Sequence, residues 1–402
     1  MRRVVVTGMG IVSCLGNELD EVERALREGR SGVRYCEDYE RAGMRSRVAG
    51  IPDLAEEPPI DRKLRRFMGS VAVYAHHAMR KAIANARLAA RDISDPRVGL
   101  IVGSGTGSLS QYLPAIDVLR AKGLQKMPPY VVPQSMASTV SACLATAYAI
   151  RGYSYSITSA CASSAHCIGH AMELIRMGKQ DRVFAGGAEE AEWTSAAAFD
   201  AMGALSTAYN DTPQTASRPY DAGRDGFVMA AGSGILVLEA LEHAEARGAR
   251  IYGELAGYGA SSDGEDMITP APESVARAMR LALAEAGVEQ VDYINTHATS
   301  TPVGDVAELA AIGEVFGTRV PPVSSTKGLT GHAVAASGAH EAIYSLLMME
   351  KGFIAPCANL RERDPATAGF PLVTRCEERS IRSVLSNSLG FGGTNASLLF
   401  RR

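Results

Sequence analysis

The sequence predicts an α/β protein with layers of helices on mainly buried sheets, and three observations carry that prediction. Short β-branched runs alternate with stretches of helical periodicity along the whole chain. The order of strands and helices is similar in the two halves, although no short period repeats. Forty glycines and a single tryptophan mark a chain of tight turns and closely packed small residues. At 402 residues it can hold one large α/β unit or two domains of ordinary size. A division near Ala246 gives halves of residues 1–245 and 246–402.

Composition narrows the function. Hydrophobic residues make up 46% and charged residues 21%, as in a soluble globular protein. A net charge of −3 predicts neither nucleic-acid nor membrane binding, so any basic site is a local patch. Seven widely spread cysteines, with no C-x-x-C, argue against a disulfide framework or a zinc site. They fit a reducing compartment, and the expected location is cytoplasmic. The N-terminus lacks the long apolar region of a signal peptide, and no apolar run is long enough to span a bilayer.

In the first half, Val4–Thr7 reads as a strand buried on both faces, and Gly8–Gly10 as a turn. Glu18–Glu28 reads as a surface helix, and residues 33–58 as irregular. A helix is predicted from Ile60 to about Leu88, with Phe67 and Met68 toward the core. Arg62, Lys63, Arg65 and Arg66 make it densely basic at its start; read alone, that is a solvated helix face. Val98–Val102 is a buried strand followed by Gly103-Ser-Gly-Thr-Gly107, whose spacing fits neither nucleotide fingerprint. Ser138–Ile150 is a helix of small residues, Arg182–Ala185 a strand ending at Gly186-Gly187, and Gly232–Glu239 a further strand.

Between them lies the most informative stretch. Tyr153–Thr158 alternates like a strand, and from Cys161 apolar residues recur at helical spacing until Gly178. One cysteine thus sits where a strand turns into a helix. Unpaired N–H groups and the macrodipole at a helix start favour a thiolate there, so Cys161 reads as a nucleophile. The plain alternative is a buried structural cysteine.

The second half repeats the alternation. Tyr252–Tyr258, Val291–Asn295, Pro322–Ser325, Ser383–Ser386 and Ala396–Phe400 read as strands. Glu273–Ala286, Asp305–Phe316 and a segment from His332 to about Glu350 read as helices. His297, Lys327 and His332 each follow a strand end, where sites form in open α/β sheets. With Cys161 they form a set that one cavity can gather. The other histidines read as core or surface side chains.

These residues resemble a known family. The order Ser159-Ala-Cys161, Thr299-Ser-Thr-Pro-Val-Gly-Asp305, Thr326-Lys327, Gly331-His332 and Gly390-Phe-Gly-Gly-Thr-Asn395 is similar to that of β-ketoacyl-[acyl carrier protein] synthases of the synthase I type. The resemblance runs from Val4 to Phe400. It implies a thiolase-like five-layered αβαβα sandwich of two related halves, and a homodimer. It implies a decarboxylative Claisen condensation, in the elongation step of type II fatty acid synthesis, between an acyl thioester on Cys161 and malonyl-[acyl carrier protein]. Backbone N–H groups of Cys161 and Phe391 would form the oxyanion hole; His297 and His332 would hold the enolate oxygen; Lys327 and Glu308 would support the electrostatics. Thr299 and Thr301 match pantetheine-binding positions, Gly107, Met136 and Phe199 the acyl pocket, and Phe391 its gate. Arg62, Lys63 and Arg66 match a dock for the acidic carrier protein. No metal or bound cofactor is implied, since the substrates ride on the carrier's 4'-phosphopantetheine.

The chemistry agrees with that set. Carbon–carbon bond formation needs a parked thioester and a carbanion equivalent made beside it, hence a nucleophile and donors aimed at two developing oxyanions. A thiolase would use a second cysteine as base, and Cys357 and Cys376 lie outside any glycine-rich loop. A CoA-specific starter synthase would replace one histidine with asparagine, and a non-catalytic chain-length partner would lack Cys161. A ketosynthase of a specialised lipid, polyene or polyketide pathway stays open. Ala298, Ala335, Leu389, Ala188 and Ser233 depart from the family's usual glycines or phenylalanine, and each added Cβ restricts the backbone.

Overall fold

The computed structural model describes all 402 residues. Ten strands form the main sheet: β1 Val4–Val12, β2 Val98–Gly103, β3 Ser154–Tyr155, β4 Arg182–Glu189, β5 Gly232–Ala240, β6 Gly253–Ser262, β7 Tyr293–Asn295, β8 Val323–Ser324, β9 Ser383–Gly390 and β10 Thr394–Arg401. Among the connecting helices, six form the layers: α1 Ser70–Asn85, α2 Thr139–Tyr148, α3 Ser163–Arg176, α4 Pro272–Ala286, α5 Pro302–Phe316 and α6 Ser337–Lys351. The strand order is β8-β7-β9-β10-β6-β1-β5-β4-β2-β3. Each strand of the first half therefore has its counterpart five strands later, in the mirrored place. Each helix has its counterpart three helices later. The halves meet edge to edge only where Val5 and Val6 of β1 pair antiparallel with Glu254 and Gly253 of β6.

Three hydrophobic cores fill the layers. The central one, of 43 buried residues, gathers α3 and α6 with the inner faces of both halves of the sheet. Two outer cores, of 29 and 21 residues, place α1 and α2 on the first half and α4 and α5 on the second. The result is the αβαβα sandwich expected. The repeat reaches individual contacts. A Cβ on Gly10 of β1 would stand 2.0 Å from the Ala78 carbonyl oxygen of α1, and one on Gly259 of β6 would stand 1.9 Å from that of Ala278 in α4. In both halves the first strand uses glycine, and the first helix alanine, to let backbones approach closely.

Several local expectations need correcting. Residues 60–88 are not one helix: a single turn, Arg62–Arg65, is capped by Asp61, whose carboxylate accepts the Lys63 N–H at 2.7 Å, and α1 begins only at Ser70. At the break Gly69 is extended, φ −81° and ψ −179°, and its lack of a Cβ admits Ser108, whose Oγ would lie 2.3 Å from one. Gly8–Gly10 is part of β1, and β4 continues through Gly186-Gly187 to Glu189. The strand ahead of Cys161 is only two residues long, and α3 starts two residues after the cysteine. None of the five departures from the family's pattern has a positive φ, so none strains the backbone. No helix is long and apolar enough to cross a membrane.

Candidate active site

The carboxyl ends of β3, β7 and β8 and the β9–β10 turn converge on one cavity of about 430 Å³. Cys161 enters from the β3–α3 turn. Ala160 before it holds a left-handed backbone, φ 49°, a cost of roughly 1 kcal/mol or more for a residue with a Cβ. The turn is held by Ser163, whose hydroxyl donates to the Ala160 carbonyl at 2.6 Å and accepts the Ser159 N–H at 2.9 Å. From the other half, Thr394 Oγ1 donates to the Ser159 carbonyl at 3.1 Å. That contact seats the β9–β10 turn on the cysteine turn. The backbone N–H groups of Phe391 and Cys161 both reach the thiol, the pair expected for an oxyanion hole.

His297 leaves β7 with its backbone fixed by Glu308 of α5. One carboxylate oxygen accepts the His297 N–H at 2.9 Å, the other the Ala298 N–H at 2.8 Å, and Asn387 Nδ2 donates to the first at 3.0 Å. Burial pushes Glu308 up to about 7 against those donors. His332 follows the short helix Lys327–Thr330, and its Nδ1 lies 3.0 Å from Ser337 Oγ. The two imidazoles stand edge to face, centroids 5.1 Å apart at 89°. Ligand atoms of Cys161, His297 and His332 all lie within 4.8 Å of one another. A thiol and two imidazoles are also the ligand types zinc takes, so a soft divalent ion entering here would occupy the nucleophile.

Electrostatics corrects one expectation. A cysteine at a helix start was predicted to ionise easily. Instead, burial pushes the Cys161 thiol up to about 12, with Lys327 and the two N–H groups pulling down and Glu189 pushing up. The helix begins too late, and the surroundings are too dry, for its end to dominate. Burial, with the charge of Lys327, holds both imidazoles well below the usual histidine range, so they are neutral at physiological pH. Lys327, 1% exposed, pairs with Glu341 of α6. Burial pushes Glu341 up to about 7 although Lys327 opposes it. Glu308 braces the His297 backbone and also feels the charge of Lys327.

Thr299 and Thr301 line the cavity, their hydroxyls 3.2 Å apart. Ser300 between them has φ 74°, and Asp305 accepts its N–H at 3.1 Å and that of Thr301 at 3.3 Å. Phe199 and Phe391 also line the cavity, ring centroids 6.4 Å apart. Gly107 and Met136 adjoin each other, a Cβ on Gly107 lying 3.2 Å from the Met136 carbonyl, but neither lines this cavity. Arg62, Lys63 and Arg66 are exposed, and no carboxylate pairs with them. The Arg66 guanidinium covers Phe67 and Tyr130, at 4.7 and 5.3 Å.

Sequence reasoning missed the supporting side chains. Ser337 orients His332, Asn387 completes the Glu308 brace, and Phe227 packs edge-on against His332 with centroids 5.5 Å apart. Glu341 falls inside the helix predicted from His332 to about Glu350, and nothing in that periodicity marks it as the partner of Lys327.

A strained cysteine turn facing paired histidines across a duplicated α/β sandwich defines a condensing-enzyme fold, and the comparisons agree. The model "Beta-ketoacyl synthase, N-terminal domain" matches residues 1–244, and "Beta-ketoacyl synthase, C-terminal domain" matches 252–361. The chain belongs to the β-ketoacyl synthase family. It is 54% identical to 3-oxoacyl-[acyl-carrier-protein] synthase 1 of Haemophilus influenzae, covering 100% of this chain and 99% of that protein. It is 55% identical, with the same coverage, to the enzyme of that name from Escherichia coli K12. A β-ketoacyl synthase crystal structure from Burkholderia phymatum superposes with TM-score 0.95 at 41% identity, covering 100% of both chains. A type II polyketide acyl-carrier protein in complex with its ketosynthase, AntDE:AntF, matches with TM-score 0.89 at 32% identity, covering 100% of this chain and 99% of that one.

Proposed function

We propose that this chain is the elongating condensing enzyme of type II fatty acid synthesis, joining an acyl group on Cys161 to malonyl-[acyl carrier protein] to give 3-oxoacyl-[acyl carrier protein]. The observation that carries the reading is the cluster of Cys161, His297 and His332 within 4.8 Å on one cavity wall. Cys161 attacks the carrier's acyl thioester; the tetrahedral oxyanion sits on the Cys161 and Phe391 N–H groups, and the pantetheine thiol leaves with the cysteine's proton. Malonyl-carrier protein then loses CO₂, and the enolate oxygen accepts hydrogen bonds from the neutral imidazoles. The carbanion attacks the acyl-cysteine carbonyl, the C–S bond breaks as the tetrahedral oxyanion collapses, and the departing Cys161 thiolate takes a proton from water. Thr299 and Thr301 present their hydroxyls to the amide-rich pantetheine arm. The catalyst carries no cofactor of its own. Identity favours this reading over a specialised ketosynthase, since the Haemophilus influenzae and Escherichia coli synthase 1 relatives stand at 54–55% and a ketosynthase of the ishigamide system at 34%. Condensation across a ladder of acyl-carrier primers tests it; absence of product with every fatty acyl primer refutes it.

The working unit in this reading is a homodimer. Gly107 and Met136 complete the acyl end beyond the cavity one chain forms, and the exposed apolar residues Tyr112, Leu113, Leu124 and Val132 cluster in sequence around them.

The carrier docks on Arg62, Lys63 and Arg66, which are exposed and free of acidic partners. Reversing Lys63 and Arg66 to glutamate raises KM for acyl-carrier protein and leaves iodoacetamide reactivity at Cys161 unchanged. Binding weakens with salt, because exposed charge contacts are screened over about 10 Å at 0.1 M ionic strength. Salt-insensitive binding would count against the dock.

Phe391 gates the pocket. It sits between Gly390 and Gly392, with Gly392 and Gly393 at φ 84° and 69°, so few side chains anchor the turn. Phe391→Ala alters acyl loading more than malonyl decarboxylation. Equal loss of both would instead indicate a collapsed turn.

A further inference from the structure

β4 ends on Glu189, which is 2% exposed. A carboxyl this deep requires donors around it, and here they come from both halves of the molecule. In the turn after β2, the Gly105 N–H donates to it at 2.9 Å, and the hydroxyls of Ser104 and Thr106 lie 3.4 and 3.5 Å away. From the second half, the backbone N–H of Ala335, just past His332, faces the same carboxyl, and the segment packs on β4 and the turn: a Cβ on Gly187 would stand 2.7 Å from the Ala335 carbonyl oxygen, and one on Gly105 3.6 Å from Val334. A Cβ on Gly105 would stand 2.6 Å from Glu189 Oε2, so the side chain lies directly on the backbone. The gripped turn in turn holds the nucleophile's approach, since Thr158 Oγ1 donates to the Ser104 carbonyl at 2.9 Å.

We propose that Glu189 is a positioning residue that clamps the Ser104–Gly107 turn of the first half to the segment following His332 in the second, and that it works in its uncharged, proton-bearing form. The inference rests on the condensing-enzyme reading of Cys161 and His332 but adds a residue outside the reacting set. A neutral carboxyl keeps these contacts: Oε2 accepts the Gly105 N–H, and the Ser104 and Thr106 hydroxyls, which donate to Oε1 when it is ionised, can turn to accept its O–H. An ionised one would place a negative charge against Cys161 as the thiolate develops. Burial favours the neutral form, holding Glu189 up to about 8, and the neighbouring Glu190 on the same strand end adds like charge. No residue of Ser104–Gly107 or Val334–Ala336 is titratable. From the remaining elements, Cys161 is the titratable group that feels Glu189, and Lys327 is the cation that acts on that thiol.

The test compares E189Q and E189A in the full-length protein, reading condensation kinetics, thermal unfolding and the pH profile of Cys161 alkylation by iodoacetamide. In E189A condensation falls roughly tenfold or more, the scale of a lost buried hydrogen-bond set, and E189Q, which keeps one acceptor and one donor, restores most of it. Above about pH 8, alkylation in E189Q outpaces wild type, because no charge develops beside the thiol. Two results overturn the proposal. One is an alkylation profile in E189Q that superimposes on wild type throughout. The other is an E189Q protein that unfolds cooperatively yet loses as much condensation as E189A, which would mean the carboxylate charge is needed. If E189A does not fold, E189Q alone decides. Failure of all condensation in wild type with every primer would refute the enzyme reading instead, while leaving the alkylation comparison readable.

Discussion

His297→Ala and His332→Ala each slow CO₂ release from malonyl-carrier protein by roughly two orders of magnitude, the usual worth of one oxyanion donor, about 3 kcal/mol. Acyl transfer to Cys161 suffers far less and remains visible as a mass increase on the cysteine. The asymmetry follows from which groups face which charge. In the proposed mechanism the acyl-transfer oxyanion meets the Phe391 and Cys161 N–H groups and neither histidine touches it. The enolate oxygen has only the imidazoles. Their geometry is prepared: Ser337 holds His332 Nδ1, while His332 Nε2 is buried with no protein partner. Both rings are neutral, so each offers an N–H without the cost of a buried cation. Cys161→Ala gives the converse, no acyl-enzyme and some residual decarboxylation. The high thiol pKa sharpens the experiment, because the proton must leave during attack. If one histidine variant stays folded but fails to acylate, that histidine is the base for the cysteine, and the paired-donor assignment falls.

The reacting set was legible because its residues sit at strand ends. Cys161, His297 and Lys327 follow short strands and His332 follows the helical turn that Lys327 opens, and the sheet gathers such ends by its topology alone. Their supports were not legible in the same way. Glu308 and Glu341 lie inside helices, where a carboxylate reads as solvent-facing; only tertiary packing turns them inward. Secondary structure shows the same division. β1 and β5 carry recognisable β-branched runs, whereas the Gly186-Gly187 end of β4 reads as a stop. Those glycines fit the strand because α3 and β5 press on it, a contact invisible along the chain. The duplication was visible as an order of elements, but its depth was not: the Gly10–Ala78 and Gly259–Ala278 contacts repeat atom for atom. The thiol's environment was misjudged for a related reason. Local sequence specified a helix start, while burial by the other half set the pKa.

Lys327→Met destabilises the protein, and the loss grows with pH. Lys327 and Glu341 are 1% and 2% exposed and pair with each other, and removing one member of such a pair typically costs about 3–5 kcal/mol. The sign of the pH dependence follows from Glu341. Its folded pKa, about 7, lies above the ordinary 4.5, so the folded state holds its proton more tightly. The stability it contributes is therefore fully present below about 4.5 and is lost as pH rises through about 7. Without Lys327 its pKa rises further, and that loss extends to higher pH. The variant should thus approach wild-type stability near pH 5, where Glu341 is protonated in both, and diverge by about 3–5 kcal/mol on the alkaline side. Cys161 alkylation also slows at fixed pH, since Lys327 pulls the thiol down. Denaturant unfolding of wild type, K327M and the double variant K327M/E341L at several pH values checks both claims. The double variant removes the orphaned carboxylate and should regain most of the stability, but not the alkylation rate. If K327M/E341L unfolds as easily as K327M on the alkaline side, the loss is one of packing, and the electrostatic account of this pair fails.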